Sequence, residues 1–200
     1  AIKYNKKIIK TEHTSPHTIS IHKHLQNLKK NKIDNVIIEA SSHGLSQDRL
    51  HHINFKAAIF TNFSQDHLDY HKTMKAYLNA KAILFKKILP KNSKIVLDKT
   101  INQFFFLKKI AKKRKLKLIE IGQTIKKINS ILLNNTMDFK VKNLAMAIVA
   151  TKLCGLKDNK IYKSLKKVKD VNGRLELSRI FPNNIKVFID YAHTPDALLK

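Results

Sequence analysis

The chain has 200 residues, 43% hydrophobic and 27% charged, a size and balance that suit one globular domain or one domain with the start of a second. No apolar run approaches the eighteen or so residues of a membrane-spanning helix, and a lone cysteine, Cys154, excludes an internal disulfide framework. The formal charge of +26 attracts polyanions, yet only Arg49, Arg114, Arg174 and Arg179 among the 40 cationic residues carry the planar fork that reads bases and phosphates, so scattered lysines read as a solvated surface and no specific nucleic-acid partner is expected.

The opening AIKYNKKIIK is basic but leads into no apolar signal region, and the expected location is a reducing cytoplasm. Helical spacing follows at Ile19, His22, Leu25 and Leu28. Short apolar runs then alternate with helical stretches: Val36-Ile37-Ile38 before Glu39, Ala57 to Phe60 before Thr61-Asn62, and Ile95-Val96-Leu97 before Asp98. A helix is predicted within 101–115, a strand over 116–121, and a second helix from Leu144 to Leu153 that stops at Gly155. The 122–138 stretch shows little periodicity. A break is expected at Val171-Asn172-Gly173, with a new strand-like run leading to Val187-Phe188-Ile189 before Asp190. This alternation predicts an α/β fold with a mainly parallel sheet flanked by helices over 1–171, and the beginning of another domain over 172–200. Ligands of such sheets collect beyond the carboxyl ends of the strands, which draws attention to Glu39, Asn62 and Asp190.

Residues 60–85, FTNFSQDHLDYHKTMKAYLNAKAILF, hold the densest polar chemistry. Thr73 is placed to cap a helix whose apolar stripe includes Met74, Tyr77, Leu78, Phe85 and Ile88, and Lys81 falls inside that stripe. A lysine there either snorkels to the surface or is held partly desolvated, where its amine loses its proton readily. The neutral amine can add carbon dioxide to give a carbamate, an oxygen ligand suited to Mg²⁺. The Asp66, His67, Asp69, His71 cluster lacks the cysteines common in zinc sites, and oxygen-rich Mg²⁺ chemistry fits better if Glu39 converges on it. Thr14-Ser15-Pro16 reads as a helix start, either an anion-holding terminus or a cap alone. Ser41-Ser42-His43-Gly44 lacks the glycine framing of a hydrolase nucleophile turn.

Three blocks, EASSHGLSQDRL, the 60–85 stretch and NGRLEL followed by FIDYAHTPDAL, resemble the Mur ligase family in content and order, and specifically its branch that adds the third residue of the peptidoglycan stem peptide. The resemblance implies an ATP- and Mg²⁺-dependent amide ligase. Its partners would be UDP-MurNAc-L-Ala-D-Glu and an amino acid, diaminopimelate or lysine, of which overall resemblance favours diaminopimelate, joined through an acyl phosphate. By resemblance Glu39, His67 and carbamylated Lys81 are the metal residues, with His67 and Lys81 catalytic. Thr14, Ser15, Ser41, Gln47 and Arg49 bind the UDP-linked precursor, and Arg174, Asp190, Asn62, Asn143, Tyr191 and His193 contact ATP. A monomer without membrane attachment is expected. Two departures stand out. No G-x-x-G-K-T phosphate loop occurs in the 200 residues, and Lys140 replaces the first Asn of the family's FN-x-x-N pattern ahead of Asn143. The expectation is therefore a fragment with little turnover by itself. The alternatives are a folylpolyglutamate-synthase-type ligase or a non-catalytic basic binding module.

Overall fold

The structure is a computed structural model and describes residues 1–5, 7–132, 137–169 and 171–199. Its elements fall into two compact units, 1–63 with 67–123, and 64–66 with 124–200.

In the first unit, β1 (Ile2–Tyr4) and β2 (Lys7–Ile9) form an antiparallel hairpin that the basic N-terminal composition did not foretell. Helix α1 (Thr18–Lys30) and the short α2 (Ser42–Ser46) precede β3 (Ala57–Ile59). Helices α3 (Leu68–His71) and α4 (Met74–Ile83) lead to β4 (Lys94–Leu97), and α5 (Phe104–Lys113) leads to β5 (Lys117–Glu120). The three strands pair in parallel in the order β3-β4-β5, as the strand–helix alternation predicts. Central β4 is paired on both edges, and its successive side chains Ile95, Val96 and Leu97 are fully buried, so both faces of the strand are covered and the run is apolar throughout. Around them pack Leu45, Leu50, Phe60, Phe85, Leu89 and Leu107.

The expected strand at 36–38 joins no ladder among the described residues. Ile38 and Ala40 lean on the core, whereas Ile37 is 82% exposed; an apolar run becomes a strand only where a neighbouring strand satisfies its backbone. The apolar stripe after Thr73 also differs from its helical projection. From Leu84 to Ile88 the helix widens to π geometry, with Leu89 N–H bonding the Leu84 carbonyl at 2.8 Å. This shift in register buries Leu84, Phe85 and Leu89 together and leaves Ile88 half-buried.

The second unit contains all but the first two residues of α6 (Gly122–Leu132), with α7 (Asp138–Leu153), α8 (Asp158–Ser164), β6 (Glu176–Ile180), β7 (Lys186–Ile189) and α9 (Pro195–Leu198). The poorly periodic 122–138 stretch falls partly on 133–136, outside the described residues; its described beginning is helical and buries Ile128. Helix α7 ends where expected, with Gly155 at φ 93°, a left-handed position that costs glycine little. Strands β6 and β7 pair antiparallel with each other, starting just after the expected break at 171–173. Among the described residues, no helix is long and apolar enough to cross a membrane.

Candidate active site

Four predicted site residues meet around Ser15. Its hydroxyl donates to the Glu39 carbonyl at 3.0 Å and accepts from the Ser41 N–H at 3.1 Å and the Ser41 hydroxyl at 3.0 Å. Arg49 Nη1 donates to the Ser15 carbonyl at 2.9 Å. One donor and two acceptor positions exhaust a hydroxyl, and Ser15 is 1% exposed, so it shapes this surface through the groups it holds. The expected helix start at Thr14-Ser15-Pro16 is thereby corrected. Helix α1 begins at Thr18, with His17 at its N-cap making no side-chain capping bond, and Ser15 bonds Glu39 and Ser41 instead of capping the helix. Thr14 is exposed.

Ser41 is itself the cap of α2, accepting from the Gly44 N–H at 3.1 Å. That bond, with the Ser15 contacts, makes SSHG a helix start, in line with the rejection of a nucleophile turn. Gly44 is required by space: a Cβ there would lie 2.6 Å from Ser15 Cβ. Gln47 closes the far end of α2, accepting from Arg49 Nη2 and donating to the Tyr70 hydroxyl at 3.1 Å. The Ser46 and Gln47 hydrogen bonds lower the Tyr70 phenol from its usual range.

The DHLDYH segment turns on two residues with positive φ on either side of α3, His67 at 54°, in the left-handed α region, and Lys72 at 64°. Its last residue, His71, is buried, and its Nε2 lies 2.9 Å from Ser42 Oγ. Burial, followed by the neighbouring His43, His67 and Lys81, lowers the His71 pKa, and Asp69 opposes them. Thr73 caps α4 by accepting from the Ala76 N–H at 3.1 Å, as predicted. One turn on, the buried Tyr77 ring gathers the site. His71 stacks on it at 5.1 Å, His67 meets it edge-on at 5.8 Å, and Lys81 Nζ lies 5.0 Å from its centroid. His43 contacts both His67, at 5.0 Å, and His71, at 5.4 Å. Lys81 is half-buried, between the snorkelling and desolvated alternatives. Among the described residues, no group of three or more His, Cys, Asp or Glu side chains is arranged to hold a metal, and His71 Nε2 is engaged by Ser42.

Glu39 and Asn62 are exposed at the ends of their runs in the first unit. In the second unit, Arg174 lies over the Tyr191 ring at 5.0 Å, and the His193 ring meets Tyr191 at 5.3 Å. His193 also approaches Asp66 at 3.9 Å. Asp190 and Asn143 are exposed, and neither is part of this ring cluster. Motif reading missed Ser42, His43 and Tyr70, and took Tyr77 for ordinary core; the clustering of His and Tyr within 67–77 was the available signal.

Residues 1–155 match the family described as the Mur ligase middle domain. The chain belongs to the Mur ligase family. It is 38% identical to UDP-N-acetylmuramoyl-L-alanyl-D-glutamate--2,6-diaminopimelate ligase of Rickettsia bellii (strain RML369-C), over 94% of this chain and 43% of that protein. The protein of that name from Leptospira interrogans serogroup Icterohaemorrhagiae serovar copenhageni (strain Fiocruz L1-130) is 32% identical, over 98% of this chain and 44% of the relative. Among solved structures, a ligase of the same name superposes with a TM-score of 0.67 at 25% identity, covering 92% of this chain and 42% of the other. A MurF structure from Acinetobacter baumannii shares the Mur ligase fold at a TM-score of 0.56 and 15% identity, covering 72% of this chain and 36% of its own. The chain thus spans less than half the length of these relatives.

Proposed function

We propose that this Mur ligase chain supplies the metal- and precursor-binding part of an ATP-dependent ligase of peptidoglycan precursor synthesis, which joins diaminopimelate to UDP-MurNAc-L-Ala-D-Glu in the cytoplasm. The observation that carries the reading is the shared Tyr77 platform, where His67 and Lys81, assigned from separate parts of one motif, meet the same ring. Residues 1–171 are the middle domain, and 172–200 begin the next one. The family match over 1–155 and the self-paired β6–β7 hairpin support that division.

In the reaction, the terminal phosphoryl group of ATP passes to the free side-chain carboxylate of the D-glutamyl residue, and ADP leaves. The amine then forms the amide bond as phosphate departs and the nitrogen loses a proton. Arg49, held by the Ser15 carbonyl and Gln47, takes the precursor anions in this reading, with Gln47 and Thr14 as further precursor-binding residues. Ser15 and Ser41 hold Glu39 and the start of α2 in position for it. Arg174, with Tyr191, His193, Asp190, Asn62 and Asn143, serves the nucleotide.

The donor set fits Mg²⁺ in one form of the chain. Glu39 offers an exposed carboxylate, His67 an imidazole and Lys81 a carbamate oxygen pair. An ammonium at Lys81 would repel the metal, so metal binding at this position calls for the carbamate form of the side chain, whose Nζ lies 5.0 Å from the Tyr77 ring centroid. Bound there, Mg²⁺ would offset charge on the transferring phosphoryl group.

The reading is tested by calorimetric titration of the chain with UDP-MurNAc-L-Ala-D-Glu and with UDP-MurNAc-L-Ala. Preference for the former, weakened at least tenfold by Arg49→Ala, supports it. Equal binding of the two, or binding indifferent to Arg49, contradicts it.

A further inference from the structure

We propose that the buried Ser42–His71 hydrogen bond is a latch that sets His67 against the Tyr77 platform, which makes His71 a positioning residue and not a ligand. The inference rests on the assignment of His67 to the metal site, and it explains how a strained, exposed loop holds that side chain in place.

Helix α3 has four residues, too few to persist by itself. The positive φ angles of His67 and Lys72 at its ends are strained for residues with a Cβ, so tertiary contacts must hold the turn. His71 supplies two of them: its Nε2 meets Ser42 Oγ at 2.9 Å, and its ring stacks on Tyr77 with an interplanar angle of 23°. Its backbone N–H closes the helical turn on the His67 carbonyl at 2.9 Å, so a side chain fixed at 71 also fixes the backbone of His67. At 8% and 2% exposure, His71 and Ser42 are enclosed and present no face to a substrate. The far side of the latch is equally fixed, because Ser42 follows the cap Ser41, which Ser15 holds. Only a side chain with both a flat ring and a polar edge meets these demands at position 71. Phenylalanine keeps the stacking and loses Ser42; glutamine keeps a polar end and loses the stacking.

Histidine-selective ¹³C/¹⁵N NMR of the chain tests the latch without metal. In Ser42→Ala the His67 ring signal is expected to shift and broaden while those of His13 and His17 stay in place, and Ser42→Thr restores it. An unchanged His67 signal in Ser42→Ala overturns the latch. If Ser42→Ala does not fold, His71→Phe is read the same way. Mn²⁺ titration then separates the two ideas. Failure of Mn²⁺ to broaden His67 in the wild-type chain counts against the metal assignment alone, because the metal-free spectra have already decided the latch. Where broadening occurs, Ser42→Ala requires about tenfold more Mn²⁺ and Ser42→Thr does not. Equal requirement in wild type and Ser42→Ala overturns the latch.

Discussion

The Ser15 hydroxyl donates to the Glu39 carbonyl at 3.0 Å across 24 positions of sequence, and so ties the segment leading into α1 to the end of the 36–39 run. Because the same oxygen also accepts from Ser41, removing it strands several polar groups at once. Ser15→Ala is expected to cost about 1–3 kcal/mol in urea unfolding. A loss below about 0.5 kcal/mol would show that the hub carries little of the local stability.

Gly44 lies against the same serine. Gly44→Ala is expected to destabilise by about 1–3 kcal/mol, because its new Cβ would sit 2.6 Å from Ser15 Cβ. The cost should shrink when Ser15→Gly removes the opposing carbon, and a double-mutant cycle measures that coupling. Additive effects would contradict the close approach.

His71 gives stability a pH dependence of definite sign. Unfolded histidine binds its proton near pH 6.5, and burial lowers the folded value below that. Between the two values the unfolded state holds more protons, so stability rises with pH. The contribution is complete above about pH 6.5 and is lost as pH falls through the folded value. Urea midpoints at pH 7 and pH 5.5 should therefore converge more in His71→Phe than in wild type. An identical pH response in the two proteins contradicts the lowered value.

Two apolar residues at strand-like positions should respond oppositely. Leu97→Ala in the fully buried β4 is expected to cost about 2–5 kcal/mol. Ile37→Ser, at a residue 82% exposed, should change stability by less than about 0.5 kcal/mol. A large loss at Ile37 would mean that the 36–38 run is paired after all.

The parallel sheet was legible because β4 and its neighbours are short apolar runs separated by helices, and the capping role of Thr73 was legible from local chemistry. The 36–38 run was misleading, since apolarity fits a strand but cannot supply the partner that makes one. The π turn at Leu84–Ile88 was hidden because periodicity arguments assume constant helical pitch. Motif text pointed to His67 and Lys81 but not to Tyr77, whose apolar spacing looks the same whether it fills a core or supports a site. Ser15 was read as a ligand-facing hydroxyl because burial is a property of the folded chain.

The ligase reading is tested most directly by a chimera in which residues 1–200 replace the matching segment of the Rickettsia bellii relative, assayed with UDP-MurNAc-L-Ala-D-Glu, diaminopimelate, ATP and Mg²⁺. The chimera is expected to form tripeptide and ADP in equal amounts, with Lys81→Ala lowering the rate by about a hundredfold or more. A folded chimera that makes no tripeptide, or one whose rate is unaffected by Lys81→Ala, would contradict the proposal that this chain carries the metal-binding chemistry of the ligase.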